Sequence, residues 1–264
     1  MIASKHPIYK SYAKVNVFLK IVGYEEGYHQ ISSRFIRLND LHDTMWFELG
    51  NGYDLDIVGD FSCDKEDNTI YKAYKALLKE YPQKAISEFG KSHKVVVYKN
   101  IPAFAGLGGG SSNAATFLMM MNETLKLGLS TQDLIKVGVN VGADVAFFLS
   151  GYESANVSGF GQIIEKFDEE LPDLEFYTPD LECSTPAVYR SYRRFYKNQM
   201  EENSELSQKL EQMESIDILK KYDPELLNDL FKAAIKLDPE ILFEQKEGYF
   251  FSGSGSSFFR LKEK

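Results

Sequence analysis

Residues 100–128, NIPAFAGLGGGSSNAATFLMMMNETLKLG, constrain the fold more than any other stretch. Lys94–Tyr98 before them is a β-branched and aromatic run, which predicts a strand. Pro102 ends the ladder, because proline has no amide hydrogen to donate. Gly106, Gly108, Gly109 and Gly110 follow within five positions. Ser111, Ser112 and Asn113 stand where a helix is capped. Residues 114–125 contain no Gly or Pro and are rich in helix formers. Glycines let the backbone come close to a ligand, and a helix N-terminus offers unpaired amides and a positive dipole end. The stretch therefore predicts a phosphate site, since a plain turn has no need to bear the chain entropy of so many glycines.

It is neither of the common phosphate loops. No lysine follows Gly110, as a Walker A loop requires. Position 113 is asparagine where a dinucleotide fingerprint places its third glycine. The positive charge must come from elsewhere in the chain.

Composition narrows the class. The net charge of -9 speaks against a general nucleic-acid binder, which carries a basic excess. A small anionic substrate responds instead to the local field of a cleft. Two cysteines, Cys63 and Cys183, make neither a disulfide framework nor a metal set. The N-terminus lacks a signal-peptide pattern, and the run Phe117–Met121 is far too short to cross a bilayer. The expectation is a cytoplasmic protein with no membrane partner.

Along the chain, Tyr9–Val22 predicts a strand buried on both faces, with Lys14 and Asn16 on one of them. Lys14 either snorkels to water at a sheet edge or is a fixed cation facing a phosphate or an acid. A turn at Gly23–Gly27 leads to Tyr28, His29 and a strand at Ile31–Leu38. Thr44–Leu49 and Tyr53–Val58 read as a hairpin closed by Asn51-Gly52. A helix runs from Asn68 to Glu80 with Ile70, Ala73, Tyr74 and Leu77 inward. Ser130 and Asp133 form a near capping box. Asp144 sits among apolar residues, where a carboxylate needs a partner. It is either a helix cap or other structural acceptor, or a base or partner for Lys14. Residues 151–164 read as a hairpin turning at Gly159 and Gly161.

The acidic stretch after Lys166, with Pro172, suggests a crossing between two domains, 1–166 and 167–264. Beyond it, Phe176–Tyr177 predicts a strand, and Ser184-Thr185-Pro186 starts a helix. Helical spacing covers 201–219, and Asp223-Pro224 opens a helix through Leu237. Tyr189, Tyr192, Phe195 and Tyr196 form a dimer face or a core, so a monomer or a weak homodimer is expected. Residues 252–257, SGSGSS, are a second glycine-serine loop between the strands Tyr249–Phe251 and Phe258–Leu261.

These motifs together resemble the GHMP kinases. The match lies in AKVNVFL (13–19), GYH (27–29), the helix start at Asn68, PAFAGLGGGSSNAA (102–115), GADVAFF (142–148) and SGSGSS (252–257). It covers nearly the whole chain in the expected order. The GLGGGSSNAA loop together with AKxNxFL and GYH is most similar to the branch that phosphorylates the 2-hydroxyl of a cytidyl diphosphate ester of methylerythritol, in isoprenoid precursor synthesis. The resemblance implies a two-domain α+β fold. Its N-terminal domain is similar to ribosomal protein S5 and its C-terminal domain to ferredoxin, with the active site between them. It implies ATP as co-substrate, with Mg2+, and no protein ligand for the metal is evident. Lys14 and Asp144 fall on the catalytic lysine and base. Asn16, Tyr28 and His29 fall on the substrate side, with Gly253 and Gly255 near a phosphate. Gly106, Gly108, Gly109, Gly110, Ser111, Ser112 and Asn113 would wrap the ATP phosphates, and Asn68 and Lys99 match positions near adenine. Ala146 stands where the family has proline, and Phe104-Ala105 alters the loop entrance. The aromatic that stacks on cytosine lies in the poorly matched region after Lys166, with Tyr177 as the candidate. Another alcohol kinase of the family would share Lys14 and Asp144 but not the use of Tyr28-His29. A nucleotide-binding regulatory or structural protein with the fold but no turnover is the other alternative, and the presence of Lys14 and Asp144 together argues against it.

Overall fold

The computed structural model describes residues 7–25 and 27–262; Glu26, within the predicted turn at Gly23–Gly27, lies outside the described residues. The strands are β1 (Tyr9–Glu25), β2 (Tyr28–Leu49), β3 (Asp56–Val58), β4 (His93–Tyr98), β5 (Ser154–Gly159), β6 (Ile163–Lys166), β7 (Leu174–Tyr177), β8 (Phe250–Phe251) and β9 (Phe258–Leu261). The helices of the first half are α1 (Thr69–Glu80), α2 (Lys84–Ser92), α3 (Gly109–Thr124), α4 (Thr131–Gly138) and α5 (Val145–Ser150). Those of the second are α6 (Thr185–Tyr196), α7 (Met200–Leu210), α8 (Ser215–Lys221), α9 (Pro224–Leu227), α10 (Asp229–Leu237) and α11 (Glu240–Glu244). The chain divides into two compact units: residues 1–13, 38–103 and 108–151, and residues 14–37, 104–107 and 152–264.

In the first unit, the end of β2 pairs antiparallel with β4 from Thr44↔Tyr98 to Leu49↔His93, and β3 lies parallel on the other side of β4. α3 is buried on nearly all sides, with Phe117, Leu118, Met120 and Met121 in the core beside Ile70, Tyr74 and Leu77 of α1. A helix apolar all round belongs inside. Asn68 caps α1 by accepting from Ile70 N at 2.9 Å, and its inward residues are the four expected. Ser130 and Asp133 complete a capping box on α4.

The predicted Asn51-Gly52 hairpin does not form. A two-residue type I′ turn needs positive φ at both central residues, and neither Asn51 nor Gly52 has it. β4 instead takes the edge of β2, and α2 fills the space before it, a helix that the sequence reading missed.

In the second unit, the start of β2 pairs with β5 from Ile31↔Gly159 to Ile36↔Ser154, and β5 turns into β6 with Gly159 and Gly161 at positive φ. β7, β9 and β8 form a separate antiparallel sheet in that order. Its core is aromatic, with Phe231, Phe251, Phe258 and Phe259 fully buried. One residue of the acidic stretch after Lys166 is held inside. The side chain of Glu169 is buried against Arg34 at 3.3 Å, and that guanidinium stacks 3.4 Å from the Phe167 ring. The predicted helices over 201–219 and 223–237 are each broken, at 211–214 and at Asn228. Among the described residues no helix is long and apolar enough to cross a membrane.

Candidate active site

Strand alternation puts Lys14 and Asn16 on one face of β1. Lys14 is 3% exposed, so it does not snorkel. Its ammonium donates to Asn16 Oδ1 at 2.6 Å and to Gly106 O at 3.0 Å, and lies 4.8 Å from the Phe35 ring centroid. Asn16 Nδ2 donates in turn to Ser33 Oγ at 3.0 Å. A cation buried in this way needs such acceptors to offset its desolvation.

The second glycine-serine loop closes around the same atoms. Ser252 Oγ donates to Gly106 O at 3.1 Å, and Ser257 N donates to Ala105 O at 3.0 Å. A Cβ on Gly253 would stand 3.2 Å from Asn16 Oδ1 and 3.4 Å from Lys14 Nζ, so the loop backbone lies against both residues. Lys14, Asn16, Gly106 and Gly253, four predicted site residues, are thus brought together. Gly255 is confined by its own neighbours. Its Cβ would enter the Phe251 ring at 2.2 Å and approach Cys183 Sγ at 2.9 Å, so glycine there is demanded by packing.

The rest of the first glycine loop turns at Gly108, whose φ of 71° makes it the residue before α3. The helix therefore begins at Gly109, and no side chain caps it. Ser112 and Asn113, predicted as caps, lie inside its first turns and are buried. Ser11 Oγ donates to Ser112 Oγ at 2.8 Å. Asn113 Nδ2 donates to Ser11 Oγ at 2.9 Å and to Asp43 Oδ2 at 2.8 Å. Lys99 Nζ donates to Asn113 Oδ1 at 3.0 Å and pairs closely with Asp43. Asp43, fully buried, also accepts from Asn100 N at 2.7 Å and Ile101 N at 2.8 Å. Lys99 and Asn113 thus meet on a carboxylate that the sequence reading did not single out, and Ser11 links Ser112 to Asn113.

What remains for an anion is the N-terminus of α3, with the exposed Gly110 and the half-buried Gly109 and Ser111. A 16-residue helix presents its first amides there. Thr69 Oγ1 donates to Gly110 O at 2.6 Å and ties the start of α1 to the start of α3. A Cβ on Gly142 would lie 3.4 Å from Ser111 Oγ, so the segment leading to Asp144 passes beside the same helix end. Asp144 directly precedes α5, is half-buried, and makes no side-chain capping bond. The helix-cap reading of this carboxylate fails. Among the described residues no group of three or more His, Cys, Asp or Glu could hold a metal ion.

A third cluster surrounds His29. Its ring contacts Tyr24 at 5.0 Å, Tyr189 at 5.2 Å and Tyr192 at 6.1 Å between centroids. Its Nε2 is buried and, among the described residues, has no hydrogen-bond partner. Arg193 stacks 4.1 Å over Tyr24 and donates to its hydroxyl. Burial first, then the Arg193 charge, hold the His29 imidazole below the usual histidine range, which favours the neutral ring. Tyr28 is 66% exposed and tilts against Phe160 at 5.6 Å.

Tyr177 does not belong to this cluster. It stacks on Phe258 at 5.4 Å, meets Tyr249 edge-on at 5.1 Å and carries Lys246 Nζ 3.9 Å over its ring. That is the packing of an aromatic in the three-stranded sheet, with its ring already engaged, and not of an open platform for a base. In the region after Lys166, Tyr189 and Tyr192 are the aromatics beside His29, and their place in the helix opened by Thr185-Pro186 was the available signal.

A family described as GHMP kinases N terminal domain matches residues 68–152. The 4-diphosphocytidyl-2-C-methyl-D-erythritol kinase of Sulfurimonas denitrificans is 50% identical, covering 98% of each chain. The Campylobacter jejuni protein of that name (serotype O:6) is 41% identical, over 96% of this chain and 99% of its own. Among solved structures, a 4-(cytidine 5'-diphospho)-2C-methyl-D-erythritol kinase superposes with a TM-score of 0.70 at 26% identity, over 97% of this chain and 90% of that one. The Methanococcus jannaschii mevalonate kinase, at TM-score 0.65 and 14% identity, covers 99% of this chain and 92% of its own and shares the fold. With its two-unit α+β architecture, this chain belongs to the GHMP kinases and, within them, to the 4-diphosphocytidyl-2-C-methyl-D-erythritol kinase family.

Proposed function

We propose that the chain catalyses transfer of the γ-phosphoryl group of ATP to the 2-hydroxyl of 4-diphosphocytidyl-2-C-methyl-D-erythritol, giving the 2-phosphate and ADP. The observation that carries this choice among alcohol kinases is the His29 cluster. A neutral imidazole with a buried, unbonded Nε2, walled by tyrosines, suits a flat polar heterocycle. Mevalonate and homoserine offer no such ring. In this reading His29 hydrogen-bonds cytosine, and Tyr28 and Tyr189 supply aromatic faces.

The α3 N-terminus with Gly108, Gly109, Gly110 and Ser111 receives the ATP phosphates. Lys99 and Asn113, fixed by Asp43, hold the loop that approaches the nucleotide, and Asn68 fixes the start of α1 beside it. Lys14 and Asn16 orient the acceptor and balance charge on the transferring group. Asp144 takes the hydroxyl proton as the phosphoryl group arrives, since positioning and electrostatics dominate this chemistry. Ser111, half-buried at the start of α3, would offer a hydroxyl oxygen to the magnesium of Mg-ATP, which would neutralise charge on the phosphates. The two units correspond in this reading to the S5-like and ferredoxin-like parts of the family.

An ADP-release assay with Mg-ATP, run against the cytidyl substrate, mevalonate and homoserine, tests the proposal. Turnover with the cytidyl substrate alone is expected. Turnover with either of the others would overturn the reading of the His29 cluster. Asp144→Asn separates the base: kcat is expected to fall by about 10²-fold or more with ATP still bound.

A further inference from the structure

The break between α9 and α10 falls on Asn228, whose backbone is extended between the two helices. Its side chain is 2% exposed and every polar atom is used. Oδ1 accepts from Leu230 N at 2.9 Å and so caps α10. Nδ2 donates to Phe251 O at 2.8 Å and to Gly253 O at 2.9 Å. A primary amide has two hydrogens to give, and here both go to the entrance of the 252–257 loop.

The next residue faces the other way. Asp229 is buried, accepts from Ile21 N at 2.6 Å and pairs closely with Lys20 Nζ. Leu19 and Asn228 form a parallel bridge. One Asn-Asp dipeptide therefore grips β1, which carries Lys14 and Asn16, and the loop that lays Gly253 against them. Capping alone does not explain the choice of asparagine, because aspartate caps as well. Only an amide accepts from the helix and gives two hydrogens to the loop.

We infer that Asn228 is a positioning residue of the phosphoryl-transfer site, holding the 252–257 loop, and with it Gly253, against Lys14 and Asn16. This rests on the reading that Lys14 serves phosphoryl transfer. The chemistry is sensitive to such placement, since a shift of about 1 Å can cost about 10²-fold in rate.

The test is Asn228→Asp, which keeps the cap acceptor and has at most one hydrogen to donate where the amide gives two. Asn228→Ser serves if the aspartate variant does not fold. Hydrogen exchange of the 252–257 amides and steady-state kinetics are measured on the full chain. In the wild type Ser252 N donates to Ser257 O at 2.9 Å and Gly255 N to Ser252 O at 2.9 Å, so their exchange reports the loop. Loop exchange is expected to rise about tenfold or more while the α10 amides keep their rates. In parallel kcat is expected to fall about tenfold to hundredfold, with KM for ATP within about threefold. Unchanged loop exchange, or faster exchange with wild-type kcat, overturns the inference and leaves Asn228 a helix cap. A wild-type protein silent with all three alcohols defeats the functional reading; loop exchange then decides whether Asn228 holds the loop.

Discussion

The Lys14 ammonium lies 2.6 Å from Asn16 Oδ1, and the two side chains stand on one face of the same strand. A lysine held this way is preorganised, so it need not reorient as charge develops on a transferring phosphoryl group. Replacing it with methionine keeps the volume of the stem and removes the charge. Lys14→Met is expected to lower kcat by about 10²–10³-fold, with thermal stability unchanged or slightly raised. Asn16→Ala leaves the ammonium in place but less constrained, and a fall of about tenfold is expected. ADP release at saturating concentrations of both substrates measures each. A change below about threefold for Lys14→Met removes the lysine from the chemistry.

Asp43 gives a prediction about stability. It accepts four hydrogen bonds, from Lys99, Asn113, Asn100 N and Ile101 N, and its side chain is fully buried. Removing one partner of a buried pair leaves the other charge uncompensated. Asp43→Ala is expected to destabilise the fold by about 3–5 kcal/mol, read from urea unfolding. A loss below about 1 kcal/mol would mean that Lys99 finds water and that the cluster is not an anchor.

Much of this was legible in the sequence because it is local. The Asn68 cap, the inward face of α1, the Ser130–Asp133 box and the Gly159–Gly161 turn depend on neighbours within a few positions. Lys14, Asn16, Gly106 and Gly253 were legible through motif resemblance, and the fold brings them together. What failed was nonlocal. Asn51-Gly52 carries a strong hairpin signal, yet β4, some forty residues on, claims the edge of β2. Asp43 sits mid-strand with no pattern to mark its partners, which lie 56 to 70 positions away. Tyr177 and Tyr189 look alike in a sequence, and only packing shows that one ring lies on Phe258 and the other beside His29.

Two glycines separate backbone strain from crowding. Gly106 and Gly128 share a φ of 71°, a conformation unfavourable for other residues. Nothing stands within 4 Å of a Cβ on Gly128, whereas one on Gly106 would lie 2.1 Å from Ser252 O. Gly128→Ala is expected to cost about 1–2 kcal/mol, from conformation alone, and to leave kcat as it is. Gly106→Ala must also push away the loop that touches Lys14, so it is expected to cost more and to lower kcat by at least about tenfold. Unfolding curves and turnover of the two variants side by side decide this. Equal losses would show that the Gly106–Ser252 approach is unimportant to the site.

His29 sets a pH dependence whose direction follows from its surroundings. Burial, and then Arg193, hold its folded pKa below the usual histidine range. Between that depressed value and about 6.5, the unfolded chain binds a proton that the native one refuses. The neutral ring therefore contributes nothing adverse above about pH 6.5, and stability declines as pH falls through that window. Recognition of the base should follow the same group, because protonation turns the acceptor nitrogen into a donor. Among the described residues, the charged and titratable groups recorded around the ring are Arg193 and the hydroxyls of Tyr24, Tyr189 and Tyr192. The kcat/KM for the cytidyl substrate is expected to fall on the acid side with a pKa below about 6.5, while kcat/KM for ATP does not share that step. Arg193→Gln removes the repelling charge, so the step should move to higher pH. His29→Gln, which does not titrate, should abolish it at the expense of a raised KM for the cytidyl substrate. A step that persists in His29→Gln would assign the titration to another group and leave His29 a packing residue.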